Sequence, residues 1–275
     1  MEERLVLHIQ HDFHLRINTE HTAGDYSMDD ITIQIVREEN IGGEILIEGL
    51  PGVGQVGKLV AEHMIDELGA EKIAEITSIY FPPQVTINED GITELARNEM
   101  YRYEIDGRAF LFLVGDCQSN SSEGHYLLSD AYLQLAQELG VQRVYTLGGY
   151  GVGHLVEDIR VLGAVNRPDL REEVEAQGVL FTRDEPGGGI IGASGLLLGL
   201  GIEYGIEGIC LMGETSGYIV DPKSAHAVLS VLSRLIGLYV NETKLEERAS
   251  EMEAIFDKIR DMEEKRSQEE LSYIG

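Results

Sequence analysis

Between residues 31 and 239 the chain alternates short apolar runs with amphipathic stretches of helical period, and this alternation restricts the fold more than any other feature. Ile31-Thr-Ile-Gln-Ile-Val36 alternates as a half-buried strand does. Glu44 to Glu48, Ile73 to Ile79, Ala109 to Val114, Val144 to Leu147 and Gly208 to Gly213 read as further strands, most of them apolar throughout, and Gly178 to Thr182 as an extended segment. Helical stretches run from about Gln55 to Leu68, Glu123 to Leu139, Gly189 to Tyr204 and Lys223 to Tyr239, with a short helix starting near Asp169. In the first of them Val56, Leu59, Val60, His63, Met64 and Leu68 share a face, and Gly69 supplies a stop. Strands that are apolar on both sides need cover on both sides. The pattern therefore predicts an α/β protein, a three-layer α/β/α sandwich around a mostly parallel sheet. Hairpins turned at Asn88-Glu-Asp-Gly91 and at Asp106-Gly107 add antiparallel strands at one side.

The organisation follows from where this pattern stops. Residues 1–27 have no sustained period and hold His8, His11, His14 and His21; they read as an N-terminal extension, poorly ordered or marginally packed, or absent from a chain that starts at Met28. His8, His11 and His14 are spaced to share a helix face, but no cysteine or carboxylate cluster completes a ligand set, so no metal site is expected. Residues 28–241 form the α/β/α domain. Residues 242–275 form a C-terminal helix and tail. The helix carries a stripe, Leu245, Arg248, Met252, Ile255, Ile259 and Met262, that packs on its own domain or on a sister subunit. After the polar Ser267 to Glu270 comes Leu271-Ser-Tyr-Ile-Gly275, an apolar end that gains nothing from exposure unless something receives it.

Charge and cysteines narrow the function. With 21 basic against 49 acidic side chains the net charge is −28, which excludes a nucleic-acid binder working through phosphate contacts and disfavours an anionic membrane surface. The longest uncharged stretch, which contains Gly187 to Ile202, is shorter than the ~18 residues of a membrane span. Cys117 and Cys210 lie inside apolar runs, as buried fillers rather than a disulfide framework, which suits a reducing cytoplasm.

Two glycine-rich turns carry the candidate chemistry. Gly52-Val-Gly-Gln-Val-Gly-Lys58 matches the dinucleotide fingerprint G-x-G-x-x-G and the first seven positions of a P-loop. Leu59 stands where a P-loop needs a hydroxyl for magnesium. The competing reading is a tight strand-to-helix turn whose glycines allow close packing. Leu147-Gly-Gly-Tyr-Gly-Val-Gly-His154 is a second glycine turn, and His154, Glu157 and Asp158 follow it as acid–base candidates without a nucleophile. Ser194, in Gly-Ala-Ser-Gly, lacks the spacing of a nucleophile elbow. Asp116, Glu123 and Asp130 match no cation loop, and Glu214 to Gly217 and Asp221-Pro222 read as turn and cap chemistry. No catalytic residue and no cofactor site are expected. The alternative is a nucleoside- or nucleotide-handling enzyme, with Lys58 on phosphate and His154 as acid or base.

Five loops occur in order: Glu48 to Lys58, Phe81-Pro-Pro-Gln84, Leu147 to Gly151, Pro186 to Leu196 and Gly213 to Pro222. Together they resemble the archaeal branch of the proteasome assembly chaperone 2 family, over roughly residues 29–275. The resemblance implies an α/β/α domain similar to purine nucleoside phosphorylases, homo-oligomers, no established enzyme activity, and C-terminal tails that dock on proteasome α-subunits. On that basis the partner-binding residues are Leu271, Tyr273, Ile274 and Gly275. The tail is similar to the hydrophobic–tyrosine–any-residue end of proteasome activators, but the activator tyrosine is penultimate, whereas Tyr273 has two residues after it.

Overall fold

The computed structural model describes residues 5–9, 16–18, 30–37, 41–181 and 189–252. Ten strands form one sheet: β1 (Leu5–Ile9), β2 (Arg16–Asn18), β3 (Ile31–Ile35), β4 (Ile45–Glu48), β5 (Glu71–Ser78), β8 (Asn98–Ile105), β9 (Arg108–Gly115), β10 (Arg143–Gly151), β11 (Val161–Val165) and β12 (Glu207–Thr215). Their order is β11-β12-β10-β4-β9-β8-β5-β3-β1-β2. The two remaining strands, β6 (Val85–Ile87) and β7 (Thr93–Leu95), pair as a separate hairpin.

The centre of the sheet, β12-β10-β4-β9, is parallel, and antiparallel strands flank it on both sides. Neighbouring residues of these central strands supply opposite faces. Leu46, Leu111 and Leu113 pack with α2 (Ser122–Glu138) and α4 (Ala193–Gly201), whereas Ile47, Phe110 and Phe112 pack with α1 (Val56–Leu68) and α5 (Pro222–Ile236). A short helix, α3 (Arg171–Glu175), joins the second layer through Val174, and α6 (residues 243–252) joins it through Leu245. No helix among the described residues is long and apolar enough to cross a membrane.

Local chemistry sets the helix ends, and it stops α5 at Gly237 rather than at the expected Tyr239. The Ser121 hydroxyl accepts from the Gly124 N–H at 3.0 Å at the start of α2. At the start of α5 the Asp221 carboxylate accepts from the Ser224 N–H, also at 3.0 Å, with Pro222 in the first position. Gly69 and Gly237 close α1 and α5 in left-handed conformations, φ 65° and 63°, that glycine adopts freely.

Several elements depart from the pattern in the sequence. β10 runs on through Gly148–Gly151, paired with Met212–Thr215, so its glycines belong to a strand rather than to a turn. The run Val161 to Val165 forms β11, antiparallel to β12, an edge strand that periodicity alone misses. The extended reading of Gly178 to Thr182 reduces, among the described residues, to one bridge between Leu162 and Leu180. The glycine-rich helix is confined to α4, because the N–H of its first residue, Ala193, donates to Gln118 and the residues after Gly201 turn into β12. Leu5–Ile9 and Arg16–Asn18, within the expected extension, continue the antiparallel wing beyond β3.

Candidate functional site

The parallel strands end at one edge of the sheet. There β4 and β10 are neighbours whose following connections leave in opposite directions, toward β9 and β12. Such a switch point is where open α/β sheets place ligands. The residue closing β4 is Glu48, which is fully buried. The Leu50 N–H donates to its Oε1 at 3.0 Å, and the Ser194 hydroxyl, from the first turn of α4, donates to its Oε2 at 2.8 Å. Burial raises the carboxyl to about 7 against the opposing pull of these bonds. Thr146 and Cys210 lie beside it in register on β10 and β12, equally buried, and burial pushes the Cys210 thiol up to about 12. Gln118 seals the same edge: its Nε2 donates to the Pro51 carbonyl at 2.7 Å and its Oε1 accepts from the Ala193 N–H at 3.0 Å. Ser194 is thus the partly buried partner of a fully buried carboxyl.

The glycine turn beside it is filled by the chain itself. Gly54 and Gln55 take left-handed conformations, φ 63° and 55°, and α1 begins at Val56. A methyl group on Gly57 would overlap the Leu147 carbonyl, and one on Gly149 would overlap the Val53 carbonyl. One on Gly54 would stand 2.9 Å from the Thr215 hydroxyl. These glycines let the turn and α1 press onto β10 and β12, as the packing reading of the motif requires. Lys58 faces the body: its Nζ donates to the Gly115 carbonyl at 2.8 Å and lies 3.4 Å from Glu62.

Beyond β10 and β12 lies an open cleft of about 510 Å³, lined by Tyr150, Val152, His154, Val156, Arg160 and Glu214. The buried Glu214 carboxylate pairs with the Arg160 guanidinium, which holds it below the usual carboxylate range, and also accepts from the Arg160 N–H at 3.2 Å. The exposed His154 donates through Nδ1 to the Val152 carbonyl at 3.1 Å. Glu157 and Asp158 follow it on the exposed loop. The cleft offers an ion pair and an imidazole to solvent, and its carboxylate is already neutralised.

The C-terminal helix starts from the opposite layer. Leu245 is fully buried, Lys244 reaches Glu67 at 2.6 Å, and the His63 Nε2 donates to the Asn241 carbonyl at 2.7 Å. The beginning of the apolar stripe therefore packs on its own domain. Ile255, Ile259, Met262 and the expected partner-binding residues Leu271, Tyr273, Ile274 and Gly275 lie outside the described residues. The structure also joins groups that the sequence keeps apart: His226 of α5 meets Glu242 and Glu246 of the C-terminal segment. Of these, only the four-residue step from Glu242 to Glu246 is visible in the sequence. Glu48 carried a signal of its own, as the one charged residue closing an apolar strand.

A three-layer α/β/α body with a self-sealed carboxyl edge and a helix leaving its flank defines the class to which this chain is compared. The sequence model of the PAC2 family matches residues 46–260, and the chain belongs to that family. Pyrococcus furiosus PbaB, described as an archaeal proteasome activator, is 42% identical with a TM-score of 0.80, over 85% of this chain and 100% of that one. P. furiosus PbaA, described as an archaeal homolog of proteasome-assembly chaperone, is 27% identical with a TM-score of 0.69, over 88% and 97% of the two chains. An uncharacterized protein of Methanocaldococcus jannaschii, MJ1210, is 40% identical over 254 residues, 89% of this chain and 97% of its own.

Proposed function

We propose that this chain is a non-enzymatic proteasome chaperone or adaptor of the cytoplasm. In this reading it forms a homo-oligomer whose tails, through Leu271, Tyr273, Ile274 and the Gly275 carboxylate, dock on proteasome α-subunits. The observation that carries the reading is the similarity to the proteasome activator PbaB, 42% identical across the whole of that chain. The sealed switch point supports it, because glycines that close the edge onto the chain's own backbone serve a scaffold.

The energetics suit a reversible contact. A five-residue apolar tail buries roughly 300 Å², worth about 7 kcal/mol gross at ~25 cal/mol per Å². Ordering a free chain end and losing overall rotation and translation offset most of that, so one tail binds weakly. Several tails on one oligomer, facing repeated pockets, strengthen the interaction by ~10²–10⁴. Deleting residues 271–275 is expected to abolish co-purification with α-subunits while leaving the circular dichroism and the size of the oligomer unchanged. Undiminished capture of α-subunits by the truncated chain would defeat the tail model.

A further inference from the structure

We propose that His226, Glu242 and Glu246 form a site for a divalent cation of the zinc class, which fastens the start of the C-terminal helix to α5. The site stands on these residues alone, whether or not the tail docks on a proteasome.

The Nε2 atom of His226 is shielded from solvent and makes no hydrogen bond. Yet the Glu242 Oε2 lies 2.8 Å from it and the Glu246 Oε1 lies 3.3 Å from it. Two carboxylate oxygens crowd a ring nitrogen without the alignment that an N–H donor needs. All three donor atoms lie within 4.8 Å of one another, compact enough to share one ion. Zinc bonds of ~2.0–2.2 Å in tetrahedral array set neighbouring ligand atoms roughly 3.3 Å apart, close to what is seen here. The Ser230 hydroxyl, one turn after His226 on α5, donates to Glu242 Oε2 at 2.8 Å and orients that carboxylate, as an outer-shell partner does.

The donor set also selects the cation. An imidazole nitrogen with two carboxylates suits zinc and its neighbours, whereas magnesium and calcium are held by oxygen alone. Without an ion, Glu242 and Glu246 repel each other at i,i+4, and a bound dication offsets that repulsion. The position gives the site a consequence. Leu245 is the buried anchor of the described part of α6, and beside it the exposed Lys244 ammonium pairs with the largely covered Glu67 carboxylate. A cation bridging α5 to the first turn of α6 therefore holds residues 243–252 against α5.

The test titrates zinc by calorimetry into the full, untagged chain after treatment with a chelator, and follows hydrogen exchange of residues 243–252 with and without zinc. One saturable zinc per chain and slower exchange across 243–252 are expected. His226→Gln and Glu246→Gln should each weaken that binding by at least about tenfold, in line with the sensitivity of metal sites to their ligands, and Mg²⁺ at equal concentration should not displace the zinc. The chain also carries His8, His11 and His14 and a net charge of −28, all of which attract cations. Zinc uptake that survives both substitutions therefore overturns the proposal, as does the absence of saturable binding or equal occupancy by Mg²⁺. Should His226→Gln fail to fold, Glu246→Gln decides the question, because the Glu246 side chain is 58% exposed.

Discussion

At the scale of single residues, Glu48 is the group whose ionisation the fold resists most openly. Its folded pKa of about 7 lies above the ordinary carboxyl value of 4.5 because burial outweighs the hydrogen bonds from Leu50 and Ser194. The folded state therefore holds this proton more tightly than the unfolded chain. Its contribution to stability is complete below about pH 4.5, is lost as pH rises toward about 7, and stays lost above that. The span corresponds to about 3 kcal/mol at ~1.4 kcal/mol per unit. Glu214, Glu67 and Asp169 have lowered pKa values and pull the pH profile the other way, so the difference between variants isolates Glu48. Glu48→Gln keeps an acceptor for the Leu50 N–H and offers a donor to Ser194. The variant is expected to match the wild type in urea at about pH 5 and to exceed it by about 2–3 kcal/mol near pH 8. Parallel pH profiles would show that the carboxyl is not held as described. Cys210, pushed up to about 12, and Cys117, pushed up to about 11, stay protonated thiols and should alkylate only on unfolding.

At the scale of elements, glycines of α1 and β10 decide how closely α1 lies on the sheet. Ala at position 57 or 149 would drive a methyl group into a backbone carbonyl, which cannot swing aside as a side-chain end can. Each substitution is expected to cost about 2–4 kcal/mol in denaturant unfolding. Gly69→Ala meets no atom within 4 Å but keeps φ at 65°, so about 1 kcal/mol is expected. Equal, small losses at all three positions would mean that α1 sits further from β10 than described. This contrast shows how far the sequence could be read. Apolar strands, the helix stopped by Gly69 and the turn at Asp106-Gly107 depend on neighbours in the chain and were legible, whereas α5 ends at Gly237, short of the expected Tyr239. Whether Gly52–Lys58 cradles a phosphate or admits a carbonyl was not, since both uses need a bare backbone and only the approach of Leu147 distinguishes them. β11 was hidden because its pairing partner, β12, lies more than forty residues further along. The meeting of His226 with Glu242 was hidden in the same way, because it follows from the turn after α5 rather than from any helical spacing.

At the scale of the whole molecule, the net charge of −28 sets like chains against one another, so the proposed homo-oligomer needs an apolar contact strong enough to overcome it. The β6–β7 hairpin offers one. Val85 stands opposite Leu95 and Ile87 lies two residues along, so all three share a face of a sheet that has no third strand among the described residues. Their exposures are 52%, 65% and 70%. An isolated hairpin of this length is marginal in water, and its apolar face is a candidate contact for the proposed homo-oligomer. Ile87→Glu with Leu95→Glu should therefore convert the oligomer to monomers in sedimentation without changing the melting of the body by more than about 1 kcal/mol, because these side chains already face solvent. Salt gives a second handle. Screening shortens from ~30 Å at 0.01 M to ~8 Å at 0.15 M, so the wild-type oligomer should loosen at low ionic strength and tighten as salt is added. Salt-insensitive assembly that persists in the double variant would move the interface to another face. Monomers that still capture α-subunits as well as the wild type would mean that one tail suffices, and that the array contributes nothing to binding.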